Sequence, residues 1–125
     1  MIEFETEISD DDLFWLMKLG DKYGFDPLSS TESEMYFVKL LQEYNGNDVD
    51  RKANLEHRIA QDFRSYGEIP VWIQAAEWPF DDGKPMLFIG QMEATVNQDG
   101  GMYPNVFYVF WNIKNGNTVT IVQVD

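Results

Sequence analysis

Three adjacent carboxylates (Asp10, Asp11 and Asp12), a single histidine (His57), and the pair Asp81-Asp82 before Gly83 are the residues whose types and spacing invite chemistry. Adjacent carboxylates could ligate a hard divalent cation. They also suit the positive end of a helix dipole, and Ser9 just before them is a good N-cap, so the dipole is the better account. His57 stands between Glu56 and Arg58 on the polar side of a helical pattern, the place of a solvent-exposed residue rather than a general base. Asp81-Asp82-Gly83 reads as a turn. With no cysteine and one histidine, the chain has no disulfide, no thiolate metal site and no multi-histidine centre. Gly100-Gly101 lacks both the spacing and the lysine of a phosphate-cradling loop. No catalytic residue, metal or cofactor is assigned.

Residues suited to binding are easier to find. Trp78 precedes Pro79, which holds it extended, and it lies in a polar connection, so it is either an exposed contact residue or a plug over the sheet end, and the contact role with a ligand or partner is the one expected. Gln74 and Gln91 sit within apolar runs and need hydrogen-bond partners if buried. They either satisfy loop backbone or line a cleft beside Trp78. Trp72 and Trp111 lie inside apolar strand patterns and are expected in the core.

The chain of 125 residues carries a net charge of −13, with 44 % hydrophobic and 15 % aromatic residues. That apolar and aromatic content supports one folded domain. The charge argues against nucleic acid and anionic membrane as partners. It is concentrated early: residues 1–50 hold thirteen acids against three lysines, net −10, and residues 51–125 hold nine acids against six bases, net −3. Asp10, Asp11, Asp12 and Glu32 are the candidates for an acidic face that meets a basic protein. The plainer reading is a solubilising surface. The acidic start has the pattern of neither a signal nor a transit peptide, and no apolar run is long enough to span a bilayer, which suggests a cytoplasmic chain.

These residues need elements to position them. Ser9 opens a helix that Leu13, Leu16, Met17 and Leu19 continue to Tyr23, with Gly24 as its left-handed stop. Thr31 and Glu34 fit a capping box for a second helix, carrying Met35, Val38 and Leu41 beside Phe37, Leu40 and Tyr44, and ended by Asn45-Gly46. A third helix is expected from Val49 to Tyr66, with Leu55, Ile59, Phe63 and Tyr66 on its apolar side and Gly67 closing it. The period then changes to that of strands, at 71–74, 86–92, 106–113 and 118–124, with a long polar loop at 97–105. Asn115-Gly116 predicts a two-residue type I′ turn. Lys114 would then face Asn117, and Phe110 would lie opposite Ile121. The face with Phe107, Val109, Trp111, Ile113, Val122 and Val124 is nearly all apolar, so it is expected to pack on the helices. The fold class is therefore α+β: about three helices in residues 1–67, packed on an antiparallel meander of about four strands in 68–125.

Glu77-Trp78-Pro79, then Asp82-Gly83-Lys84-Pro85-Met86 and Phe88-Ile89-Gly90-Gln91, with Phe107-Tyr108-Val109-Phe110 later, resembles the signature of the YwqG-like family of bacterial proteins. The likeness covers residues 69–125. Members are longer, with more sheet, so this chain would be a trimmed relative. Relatives occur beside genes for secreted toxins, where small acidic immunity proteins are common. The resemblance implies a binding or immunity role and names no catalytic residue. The function expected from the sequence is thus a non-enzymatic protein-binding domain, an immunity protein that neutralises a toxin through an acidic surface. The alternative is a small-molecule or carbohydrate-binding domain, or a hydrolase, with a cleft around Trp78, Gln74 and Gln91.

Overall fold

Serine and asparagine side chains start all three helices in the computed structural model, which describes residues 6–44, 47–98 and 100–124 (96–98 through their backbone alone). Helix α1 spans Asp10–Tyr23, and the Ser9 hydroxyl accepts from the Asp12 N–H at 3.3 Å. Gly24, at φ 90°, ends it by donating to the Gly20 carbonyl. Helix α2 spans Thr31–Glu43. Its cap is Ser30, one residue earlier than the sequence suggests, and Ser30 accepts from the Ser33 N–H at 3.1 Å. Thr31 is already helical, and Glu34 accepts from the Thr6 hydroxyl instead of closing a capping box. The expected stop at Asn45-Gly46 lies outside the described residues. Helix α3 spans Asp48–Asp62, with Asn47 as its cap.

Helix α3 ends before the expected Tyr66. The Phe88 N–H donates to the Arg64 carbonyl, and the Tyr66 N–H donates to the Phe88 carbonyl, so the sheet takes the backbone groups a further helical turn would use. Phe63 is buried at that point, whereas Tyr66 is 82 % exposed.

A two-stranded ribbon of β1 (Phe80–Asp81) and β2 (Lys84–Pro85) precedes a three-stranded antiparallel meander. The meander consists of β3 (Leu87–Gln98), β4 (Gly101–Trp111) and β5 (Thr118–Val124), in that spatial order. The α+β class expected from the sequence is what the chain adopts, with five strands in two sheets among the described residues. Three strand assignments change. Residues 71–74 are not a strand. The polar stretch expected to be a long loop is largely paired strand, because β3 and β4 pair as far as Gln98 opposite Gly101, with Gly100 at φ 78°. The last hairpin is two residues out of the expected register: Trp111 faces Thr118 and Phe110 faces Val119. Its loop closes through the Asn112 N–H to the Asn117 carbonyl. Asn115 keeps negative φ, so the turn is not type I′. Side-chain amides of Asn112, Asn115 and Asn117 all donate to Asp81 Oδ2, at 2.9 to 3.0 Å, and hold its carboxyl below its usual range.

A shift of two residues preserves which side chains share a face. The face turned to the helices is nevertheless the opposite of the one expected. Val106, Tyr108 and Phe110 are buried, with Val119 and Ile121 packed beside them. They join an aromatic cluster in which Phe63 stacks on Phe25 at 4.5 Å and meets Trp78 edge-on at 5.2 Å. Trp78 in turn meets Phe110 at 5.3 Å. Apolar burial of this kind contributes roughly 25 cal/mol per Å² and holds helices to sheet.

Helices α1 and α3 are also joined by charge. Arg51 binds both oxygens of Asp12 at 2.9 and 3.0 Å, and this guanidinium keeps the Asp12 carboxyl below its usual range. A carboxyl so lowered stabilises the fold above its unfolded-state value and stops doing so as pH falls through the folded one. Arg51→Leu should therefore cost about 1 kcal/mol at neutral pH, and the deficit should shrink below about pH 4, where the unfolded-state Asp12 takes up its proton. Urea titrations of both proteins across an acid series check this; a deficit constant with pH would mean that Arg51 acts through packing alone.

Candidate functional site

Between Pro70 and Pro79 the chain crosses the inner side of the sheet as an irregular strap, and each strand contributes a side chain to hold it. From β3, Gln91 accepts from the Val71 N–H at 2.7 Å and donates back to the Val71 carbonyl. From β4, the Tyr108 hydroxyl donates to the same carbonyl at 2.8 Å. From β5, Gln123 accepts from the Ile73 and Gln74 N–H groups at 3.1 and 3.0 Å, and donates to the Ala75 carbonyl and to Glu77. Gln123 is 1 % exposed. Trp72 is half-buried, lies over Tyr108 at 4.3 Å and donates from its indole to the Gly24 carbonyl.

Trp78, Gln74 and Gln91, the residues expected around a cleft, all make contacts within the fold. The two glutamines are brought to one strap, yet both are spent on backbone: Gln74 donates to the Val124 carbonyl at 2.7 Å, and Gln91 brackets Val71. Trp78 is not an exposed contact residue. It is 2 % exposed, its indole N–H donates to the Met86 carbonyl at 2.9 Å, and its ring is walled by Phe63, Phe88 and Phe110. Polar neighbours in sequence misplace it, because the aromatic rings that surround it come from the end of α3, from β3 and from β4, away from it along the chain.

The acidic candidates do not act alike. Asp12 is taken by Arg51. Asp10, Asp11 and Glu32 are exposed and form no ion pair among the described residues. Much of the remaining helical charge is used internally: Glu56 takes both Lys22 and the Tyr23 hydroxyl, and Asp62 takes Arg58 and the Tyr36 hydroxyl. His57 is exposed and meets only Gln61 at 3.1 Å. Among the described residues, no group of three or more His, Cys, Asp or Glu could hold a metal ion. No helix among them is long and apolar enough to cross a membrane.

What remains free is the outer face of the meander. Across it, Trp111 stands opposite Leu87 and Thr118, Val109 opposite Gly90 and Thr120, and Phe107 opposite Met92 and Val122. Asn105 lies opposite Ala94 and Val124, and Tyr103 opposite Val96. No charged residue stands in these positions. Met92 is 64 % exposed, and Tyr103, Trp111, Val122 and Val124 lie between 38 and 46 %. Trp111, expected in the core, belongs here. Sequence reasoning saw this apolar face but gave it to the helices; the signal it missed is that Tyr108 and Gln123 on the other face are there to hold the strap.

The chain matches no protein-family model, and no curated protein or solved structure matches it significantly.

Trp78→Ala should cost about 3–5 kcal/mol in a urea titration, as for a fully buried aromatic. A smaller loss would return Trp78 to the surface. Gln123→Leu removes the acceptor of the Gln74 N–H, one of two acceptors of the Ile73 N–H (the Tyr108 hydroxyl is the other) and the donor to Ala75, and should cost about 2–3 kcal/mol. Limited proteolysis should then cut between Pro70 and Pro79; an uncut strap would show that other contacts suffice.

Proposed function

We propose that this chain is a non-enzymatic protein-binding domain that presents the outer face of β3, β4 and β5 to a basic partner. The observation that carries the reading is that face: contiguous, apolar, free of charge and uncovered on a chain of net charge −13. The largest apolar patch on a soluble chain is often an interaction surface. The apolar face supplies contact, and the acidic helical side supplies steering. Negative charge raises the encounter rate with a basic protein without lying in the contact itself. A toxin with a basic cleft of the kind that cuts nucleic acid fits both features, and this chain would then act as its immunity protein. The likeness of residues 69–125 to the YwqG-like family points the same way. The rival cleft has lost its free groups, because Trp78, Gln74 and Gln91 are engaged in the fold.

The test is co-purification with the product of the adjacent gene, followed by binding measurements on Met92→Glu with Tyr103→Glu. Both sites are exposed on the outer face, so the unfolding midpoint should hold while affinity falls by about a hundredfold, the loss expected at an interface hot spot. The association rate of the unmodified chain should fall steeply with salt. Unchanged affinity in the double variant would remove the outer face as the docking surface. A salt-independent rate would remove the steering role of the acids.

A further inference from the structure

Strand β5 ends the meander, and its outer edge is open. Among the described residues, β5 has backbone pairing with β4 alone, and the Gln74 amide reaches only its last carbonyl, that of Val124. Edge strands are normally blunted by charge, proline or a bulge, because a bare edge is a template for another strand. The opposite edge, β3, is blunted in this way. Phe88 is bonded to Arg64 and Tyr66, the register breaks between Phe88 and Gly90, and Glu93 adds a charge. Strand β5 reads Thr-Val-Thr-Ile-Val-Gln-Val, with no charge, no proline and no bulge. Its residues are nearly all strong strand formers.

The two sides of this edge differ. Thr118, Thr120, Val122 and Val124 face outward with the apolar surface, while Val119, Ile121 and Gln123 face inward. Beside Ile121 on the inner side is a hollow of about 220 Å³, lined by Glu32, Glu77, Trp78 and Phe80 among others. Glu32 and Glu77 are both exposed, and neither forms an ion pair among the described residues.

We infer that β5 is a strand-addition site: an extended segment of the basic partner pairs along it, with apolar and basic residues in alternation. Period-two geometry fixes that pattern. Alternate side chains of the incoming strand extend the apolar outer face beside Thr120 and Val122. Those between them fall over the hollow, where lysine or arginine meets Glu32 and Glu77. A second copy of this chain is the poorer occupant. Its own β5 offers Val119, Ile121 and Gln123 to the two glutamates and brings a second charge of −13. The inference rests on the protein-binding reading and adds how the partner enters.

The probe is a synthetic peptide of about seven residues, the length of β5, alternating valine and lysine. Amide hydrogen exchange is followed on the intact chain. Addition of the peptide should slow exchange of β5 amides, and the valine–glutamate counterpart should not. Glu32→Gln with Glu77→Gln should weaken the response by about tenfold, as expected for loss of rim charge pairs. Absence of slowing at millimolar peptide, or equal slowing by the acidic peptide, overturns the inference. Slow β5 exchange without peptide, together with a dimer mass by light scattering, overturns it in favour of a second copy. Partner binding that is lost in Met92→Glu with Tyr103→Glu, while the peptide leaves β5 unprotected, defeats strand addition alone. A protected β5 with partner binding indifferent to those two substitutions defeats the outer-face reading alone.

Discussion

A chain segment that crosses a sheet without joining it carries backbone N–H and C=O groups that must find partners or cost a desolvation penalty. The strap between Pro70 and Pro79 is such a segment, and Gln91, Tyr108 and Gln123 supply those partners, one from each strand of the meander. Much follows from this. Polar side chains must lie on the inner face, so the meander turns its polar-containing side to the helices and leaves its wholly uncharged side outside. The position of Trp78 follows as well, since the strap delivers it into the aromatic cluster between α3 and the sheet.

The charge distribution has a similar double use. In sequence the acids of the helical half read as one undivided excess of negative charge, yet the fold sorts them. Asp12, Glu56 and Asp62 tie helices to each other or to themselves through Arg51, Lys22 and Arg58. Asp10, Asp11 and Glu32 stay exposed and form no ion pair among the described residues. In the proposed reading, an acidic surface partly consumed in this way would steer a partner better than it gripped one, because exposed ion pairs are worth little individually. Grip would then fall to apolar contact, which the outer face of the meander offers.

Local signals were legible, and relations between distant residues were not. Ser9 and Gly24 bound the first helix as their chemistry requires, and the shift to period two after residue 67 correctly announces strands. Helix α3 stops early because a strand twenty-odd residues later claims Arg64 and Tyr66, which no local pattern reveals. The apolar run at 71–74 looks like a strand, but side chains some twenty to fifty positions away bond its backbone in place of a neighbouring strand. Polar residues near the Gly100 turn read as loop, although paired backbone tolerates them once the strands run past the core. Of the candidate site, the acids were visible as charge, whereas the orientation of the meander depended on where Gln123 had to point.

The strap also has a place in time. Both meander hairpins join segments adjacent in sequence, whereas the strap is tied by Ile73 to Gln123 and by Trp72 to Gly24, across separations of 50 and 48 residues. Contacts so far apart carry the larger loop-closure entropy and form slowly. The hairpins can therefore assemble while the inner face still lacks its cover, with Tyr108 and Phe110 as bare as Phe107 and Val109 behind them. During synthesis, the sheet would pass through an interval with both sides adhesive, and the rate of strap closure would limit how long it lasts.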